Sequence, residues 1–294
     1  MADRVRHPSY AIVSPVKDEE RYIELTLQSV TAQTVKPLAW VIVDDGSTDA
    51  TPDIVRRYAA DHRFISLVPH PRAGVRQPGA AVIHAFNYGY ATLVGLDHDH
   101  IVKLDCDLSF APDYFERLLD GFAVESRLGI ASGVYMEPTP SGAWKRIAMP
   151  AYHAFGASKM LRRRCFEDIG GFVAAPGWDT VDEIRALARG WTTRHFGALE
   201  VRHHKPEGSG IGRLKTSRMH GEIYYTTGGD PLFFMLKVLR RVGTPPVLTN
   251  ALALLIGYLS AMLRKQPRLV TPAEARSYRR LLRRRVFQLK LATS

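Results

Sequence analysis

Cysteine is scarce in this chain: Cys106 and Cys165 are the only two among 294 residues. Two thiols cannot build the disulfide framework of a small secreted fold, and the count fits a reducing compartment. The stretch from Met1 to Ser9 lacks the apolar run of a secretory signal, so the chain is expected to begin and stay in the cytoplasm. No glycine-rich basic loop follows the first apolar run. That position reads Pro15-Val16-Lys17-Asp18-Glu19-Glu20, which counts against a sugar nucleotidyltransferase. Internal repeats and low-complexity segments are also missing.

Long hydrophobic runs are absent as well. The longest uncharged apolar stretch, Pro246–Leu263, has 18 residues and is interrupted by Thr249, Asn250, Gly257, Tyr258 and Ser260. A spanning helix needs ~20 predominantly apolar residues, and basic flanks at Arg240/Arg241 and at Arg264/Lys265 favour neither orientation. An in-plane or re-entrant membrane element is expected, the alternative being a buried helix or an oligomer contact. Pro231–Val242, just upstream, reads as an amphipathic helix.

Acidic residues are missing from the C-terminus. From Arg264 to Ser294 a single Glu stands against ten Lys and Arg, so this tail carries +9 of the formal +11 and the rest of the chain only +2. The basic character belongs to a tail that follows the most apolar segment, which points to an anionic membrane surface rather than nucleic acid. Arg276, Arg280 and Arg283 lie roughly one helical turn apart and would meet lipid head groups, each worth ~1 kcal/mol near an anionic surface. An ordinary solvated helix face has the same spacing.

With 46% hydrophobic and 23% charged residues, the chain has the composition of a folded protein. Strands are expected at Tyr10–Pro15, Trp40–Val43, Phe64–Val68, Ile101–Leu104 and Leu128–Tyr135. Helical patterns alternate with them: Ile23, Leu27 and Val30 share a face, Thr51–Pro52 opens a helix, and Gly79–Tyr90 and Pro112–Phe122 form two more. The alternation implies an α/β fold with a mostly parallel sheet and helices on both faces.

Ligands of such sheets bind at the carboxyl ends of strands. Three acidic clusters fall there: Pro15–Glu20, Asp44–Asp49 and Asp105–Asp107. In the second, an acid can accept hydrogen bonds from ribose or base and Gly46 permits a sharp turn, although Asp, Gly and Ser also favour plain turns. In the third, two carboxylates one residue apart can share a hard divalent cation with a diphosphate. Asp97-His98-Asp99 has the same spacing but precedes its strand, and is expected to be a solvated loop. Arg72 and Arg76 follow the third strand and could pair with phosphates or lie solvated.

Taken in order, Pro15 and Glu19, Val43–Asp49, Asn87-Tyr88-Gly89, Asp105-Cys106-Asp107, Gly170-Gly171-Phe172 and Asp179 resemble the family-2 glycosyltransferases of the GT-A fold. The resemblance runs from Ser9 to His204, about two thirds of the chain. A catalytic domain is expected over 1–225, and the apolar stretch and basic tail make 226–294 a helical membrane-association region. The resemblance implies that Pro15 and Glu19 border the nucleotide, that Asp44 and Asp45 bind base and ribose in either order, and that Asp105 lies near sugar or ribose. Asp107 would ligate a divalent metal, Mg or Mn, through the donor diphosphate. Of His203 and His204, His203 would complete the metal shell, the alternative being a polar, partly packed pair.

Family members carry Glu-Asp before the last catalytic helix, with the Asp eleven residues before a glycine. Gly190 puts Asp179 in that general-base position, with Trp178 in place of the Glu. Asp182 and Glu183 are alternative bases, and as plain helix residues they read as first-turn acids favoured by the dipole. Helix capping is the structural alternative for Asp179. The implied activity is inverting transfer of a sugar from a nucleoside-diphosphate sugar to an acceptor hydroxyl; the membrane signals alone point to a lipid-linked or surface-polysaccharide glycan acceptor at the cytoplasmic face of a membrane.

Overall fold

The computed structural model describes residues 8–71, 79–205, 212–243 and 247–291, with side chains as far as residue 284. The chain divides into two compact units: Met1–Ala174 with Trp191–Pro206, and Ala175–Gly190 with Glu207–Ser294.

The first unit is built on one sheet. Strands β1 (Tyr10–Val16), β2 (Ala39–Asp44), β3 (Ile65–Pro69) and β4 (His100–Leu104) are all mutually parallel, in the order β3-β2-β1-β4. The sheet continues with β8 (Ser158–Arg162), β6 (Leu128–Pro138), β9 (Thr192–His203) and β5 (Leu108–Phe110), while β7 (Trp144–Arg146) pairs with β6. In this half β8 runs antiparallel to β4 and β6, β9 parallel to β6, and β5 antiparallel to β9. The parallel character expected from the alternation therefore belongs to the N-terminal half, and the second half is mixed.

Tyr10, Ile12, Val13 and Ile42 are fully buried because helices cover both faces of the parallel strands. Helix α1 (Ile23–Thr31) turns Ile23, Leu27 and Val30 inward, as its 3.6-residue periodicity dictates. On α3 (Ala80–Ala91), a Cβ added at Gly89 would stand 2.4 Å from a methyl of Val43 and 2.8 Å from one of Val13. The glycine lets this helix lie close on β1 and β2. Helix α2 (Thr51–Asp61) follows β2, α4 (Tyr114–Val124) follows β5, and α5 (Arg163–Asp168) follows β8. Gly170 and Gly171, at φ 74° and 71°, end α5 and lead Phe172 against Phe86, ring centroids 4.9 Å apart.

The second unit holds α6 (Trp178–Ala188), α7 (Arg213–Thr226), α8 (Pro231–Val242), α9 (Thr249–Leu263) and α10 (Pro272–Leu291). Helices α7 and α9 meet backbone to backbone. A Cβ at Gly221 would lie 2.0 Å from the Leu254 carbonyl oxygen, and one at Gly257 1.9 Å from that of Arg218. Asp230 caps α8 by accepting from the Phe233 N–H at 3.1 Å and is held by Arg283 at 2.7 Å. Thr271 and Glu274 form a reciprocal capping box at the start of α10.

One core residue makes the first unit acid-sensitive. His100 is 1% exposed, its ring lies 4.6 Å from Phe122, and both ring nitrogens lack a hydrogen-bond partner among the described residues. Burial first, then the nearby Arg162 guanidinium, pushes its pKa down to about 4. The unfolded imidazole takes up a proton near pH 6.5 and the folded one does not, so stability is lost as pH falls from there toward 4. Between pH 7.5 and 5 the loss is about 2 kcal/mol. Chemical unfolding at the two pH values should show this drop in the wild type and a smaller one in His100→Leu.

Candidate active site

Because β1, β2 and β4 are parallel and in register (Val16 opposite Asp44, Val13 opposite Lys103), their carboxyl ends reach one edge of the sheet. The three acidic clusters gather there. Asp97 and Asp99 lie at the amino end of β4, where Asp99 accepts from the Ser9 N–H at 2.7 Å and Asp97 pairs with Arg163 at 3.1 Å.

The loops after β1 and β2 are stitched together. Asp18 N–H donates to Ser47 Oγ (3.0 Å), Thr48 N–H to Asp18 Oδ1 (2.8 Å), and Glu19 N–H to Thr51 Oγ1 (2.9 Å). Glu20 N–H donates to Asp49 Oδ2 and Ala50 N–H to Glu20 Oε2, both at 3.0 Å. These bonds hold Asp18 at φ 52°, in the left-handed region that non-glycine residues seldom occupy.

Asp44 and Asp45 face different tasks. Asp44 Oδ1 accepts from the Ser47 N–H at 2.9 Å, closing the turn. Asp45 Oδ1 lies 3.1 Å from His70 Nδ1, and that imidazole meets Tyr88 edge-on at 5.0 Å. Pro15 sits in β1 opposite Val43.

At the end of β4, the ammonium of buried Lys103 pairs with Asp105. Burial raises the Asp105 carboxyl and Asp107 adds to the rise, while Lys103 and His203 oppose it. Asp107 and His203 are 7% and 8% exposed, with His203 Nε2 standing 3.3 Å from Asp107 Oδ2. Antiparallel pairing of Leu108 with His203 sets this contact, reinforced by the His204 N–H donating to the Asp107 carbonyl at 2.9 Å. Burial works against charge on His203, but Asp107, then Asp105 and Glu137, outweigh it and hold its pKa above the ordinary value. Two further contacts close the end of β9. His204 Nε2 lies 2.8 Å from Ser109 Oγ, and Lys205 Nζ donates to Glu19 Oε1 at 2.7 Å. Burial raises the Glu19 carboxyl, and Lys205 opposes the rise.

The donor set suits a cation carried in on a substrate. Among the described residues, Asp107 Oδ1 and His203 Nδ1 are buried without a hydrogen-bond partner, and His203 Nδ1 lies 4.0 Å from Glu137 Oε1. Among the described residues no group of three or more His, Cys, Asp and Glu side chains forms a ready-made metal cage. One carboxylate and one imidazole therefore leave most positions for diphosphate oxygens and water, the way Mg²⁺ is commonly held.

Sequence reasoning brought Glu19, Asp105, Asp107 and His203 to one edge but missed Lys103, Lys205, Glu137 and His70. A lysine inside the apolar run His100–Leu104 was the available signal for the first, and a polar residue directly after β3 for His70.

Asp179 lies in the second unit, in the first turn of α6. The N-cap is Gly177, at φ 84° and without a side-chain cap bond, so Asp179 is not the capping residue. Asp182 and Glu183 are not first-turn acids. The helix starts at Trp178, which puts both beyond its first turn, and each is 1% exposed. His220, also in this unit, is pushed down to about 4 by burial and by Lys237 and Arg241, with Asp179 acting against them. Arg72 and Arg76 lie outside the described residues.

Residues 11–175 match the family described as Glycosyl transferase family 2. Over 125 residues the chain is 31% identical to Glycosyltransferase GlyA of Streptococcus pneumoniae serotype 4, covering 42% of this chain and 16% of that protein. It is 31% identical over 121 residues to the succinoglycan biosynthesis protein ExoA of Rhizobium meliloti (strain 1021), covering 40% of this chain and 34% of the relative. The chain thus spans only about a sixth to a third of the length of these two relatives. Among solved structures it is similar to the mannosyltransferase PcManGT from Pyrobaculum calidifontis in complex with GDP-Man and Mn²⁺. That likeness has a TM-score of 0.57 and 22% identity over 92% of this chain and 79% of the other, and it shows a shared GT-A fold. The family match stops short of α6 and β9 and so does not reach Asp179 or His203.

Lys103 beneath Asp105 is testable as a pair. Lys103→Met leaves a half-buried carboxylate uncompensated and should destabilise the first unit by about 3 kcal/mol. Lys103→Met with Asp105→Asn removes both charges and should recover most of that loss in urea unfolding. Equal losses in single and double variants would mean that Lys103 acts through packing instead.

Proposed function

The chain belongs to glycosyl transferase family 2, and on that premise we propose that it transfers a sugar from a nucleoside-diphosphate sugar to an acceptor hydroxyl with inversion at the anomeric carbon. The observation that carries this reading is the buried Asp107–His203 pair at the carboxyl edge of the sheet, with one carboxylate oxygen and one ring nitrogen unpartnered.

Asp107 and His203 would hold a divalent metal, which supplies charge neutralisation to the departing diphosphate. The carboxylate, with diphosphate and water oxygens, accepts Mg²⁺ or Mn²⁺. The Pyrobaculum mannosyltransferase, solved in complex with GDP-Man and Mn²⁺, supports a divalent metal. Asp44 and Asp45, with Pro15 and Glu19 at the border, bind the nucleoside, and His70 orients the Asp45 carboxylate. Asp105, paired with Lys103, accepts from sugar or ribose hydroxyls. Asp179 takes the proton of the acceptor hydroxyl as its oxygen bonds to the anomeric carbon and the bond to the diphosphate oxygen breaks. A single displacement needs no second nucleophile and inverts the configuration.

The acceptor is a glycan or lipid-linked glycan. The succinoglycan biosynthesis protein among the relatives supports a polysaccharide product. The apolar and basic helices of the second unit support a peripheral or monotopic place on the cytoplasmic face of the cell membrane, with anionic lipid as partner. No helix among the described residues is long and apolar enough to cross a membrane.

Calorimetric titration of GDP and UDP, with Mn²⁺ and then with EDTA, tests the site. Metal-dependent binding of one nucleotide is expected, weakened at least about tenfold in Asp107→Asn. Unchanged turnover in that variant would remove the metal assignment. Asp179→Asn should leave donor affinity nearly intact while turnover falls about 10²-fold or more. Loss of folding in that variant would point instead to a structural role in α6.

A further inference from the structure

Helices of a globular unit turn their large apolar side chains inward, and α9 leaves most of its own outward. The inward face carries Ala251, Leu254, Gly257 and Ala261, all buried. Leu252 (57% exposed), Ile256 (45%), Leu259 (38%) and Leu263 (77%) point outward. The orientation is fixed, because Gly221 of α7 and Gly257 of α9 each admit the other helix's backbone where a Cβ would clash. Burying the outward leucines would put bulk into that crossing.

Helix α8, which packs on α9, shows the same pattern. Phe234 and Val238 are buried, while Leu232 (69%), Met235 (46%), Leu236 (39%) and Leu239 (62%) form an exposed stripe at i, i+3, i+4 and i+7. Scattered exposed leucines need no explanation, but two continuous stripes on adjoining helices do.

Charge selects the occupant. Every acid between residues 212 and 291 is held by an arginine: Glu222 by Arg218 at 3.5 Å, Asp230 by Arg283 at 2.7 Å, and Glu274 by Arg189 at 2.8 Å. Arg240, Arg264 and Lys265, at the C-terminal ends of α8 and α9, are exposed. A second copy of this chain would bring like charge against these cations, whereas an anionic leaflet complements them. The 15 residues of α9 extend roughly 22 Å, short of the ~30 Å hydrocarbon core, which leaves insertion parallel to the surface.

We propose that the outward faces of α8 and α9 are a monotopic seat in an anionic lipid surface. Leu232, Leu239, Leu252 and Ile256 enter the acyl boundary, and Arg240, Arg264 and Lys265 lie among the head groups. This rests on the membrane placement proposed above and deepens it by naming the surface and the lipid charge.

The test is co-sedimentation of the full chain with vesicles of phosphatidylcholine alone and of phosphatidylcholine mixed with phosphatidylglycerol. The wild type should bind the mixed vesicles and bind neutral ones weakly. Leu252→Glu with Ile256→Glu should lower binding by about tenfold or more. Val94→Glu, at an 87% exposed apolar position of the other unit, should bind like the wild type. Arg264→Glu with Lys265→Glu should bring binding to mixed vesicles down toward the neutral level. Circular dichroism and nucleotide titration of each variant report folding and the first unit's site separately from lipid binding.

Wild-type binding that survives the Leu252/Ile256 substitutions would overturn the seat while leaving membrane placement standing. So would loss of a dimer in those variants without loss of vesicle binding. A wild type that binds no vesicles would overturn both, whatever the nucleotide titrations show.

Discussion

Four carboxylates crowd the carboxyl edge of the sheet, and each meets a cation or an imidazole: Glu19 with Lys205, Asp105 with Lys103, and Asp107 and Glu137 with His203. Burial and mutual repulsion raise the carboxyls of Glu19 and Asp105, and Lys205 and Lys103 oppose the rise. A protonated cluster could neither hold a divalent cation nor accept from sugar hydroxyls. The positive partners come from different places in the chain. Lys103 stands under the edge within β4, while His203 and Lys205 arrive from the end of β9. The mixed half of the sheet thus has a purpose beyond adding core: it brings His203 and Lys205 against Asp107 and Glu19.

The first four strands were legible because each is a short apolar run, and strand polarity then separated Asp105 and Asp107 from Asp97 and Asp99. Strand β8 was not. Lys159 and Arg162 interrupt its apolar pattern, yet Lys159 is fully buried between β4 and β6. Strands β5 and β7 are three residues each, too short to show a period. The Asp107–His203 contact joins residues almost a hundred positions apart through antiparallel pairing, so only tertiary register reveals it. Lys103 resembled an ordinary strand charge because the sequence does not show that both faces of β4 are covered. Asp182 and Glu183 were misread by a small error in where α6 begins, enough on a helix to carry a side chain from the dipole's reach into a buried turn.

In the second unit, glycine again decides orientation, for a reason that composition conceals. Pro246–Leu263 reads as a weakly apolar stretch interrupted by small and polar residues. Gly257 is the contact that sets the helix against α7, and small side chains on that side are its consequence. Hydropathy alone registers those residues as dilution of an apolar run. The packing puts Gly257 on one buried face with Ala251, Leu254 and Ala261, and leaves Leu252, Ile256, Leu259 and Leu263 on the other.

The bonds that tie the turn after β1 to the turn after β2 have a consequence for energetics. Five side-chain contacts between segments about thirty residues apart hold both turns in place before any ligand arrives. Little binding free energy is then spent on ordering that part of the pocket, so more of it remains to act on the reacting bond. A rigid cradle also has no hinge of its own. Whatever opening and closing accompanies turnover must be carried by other parts of the chain.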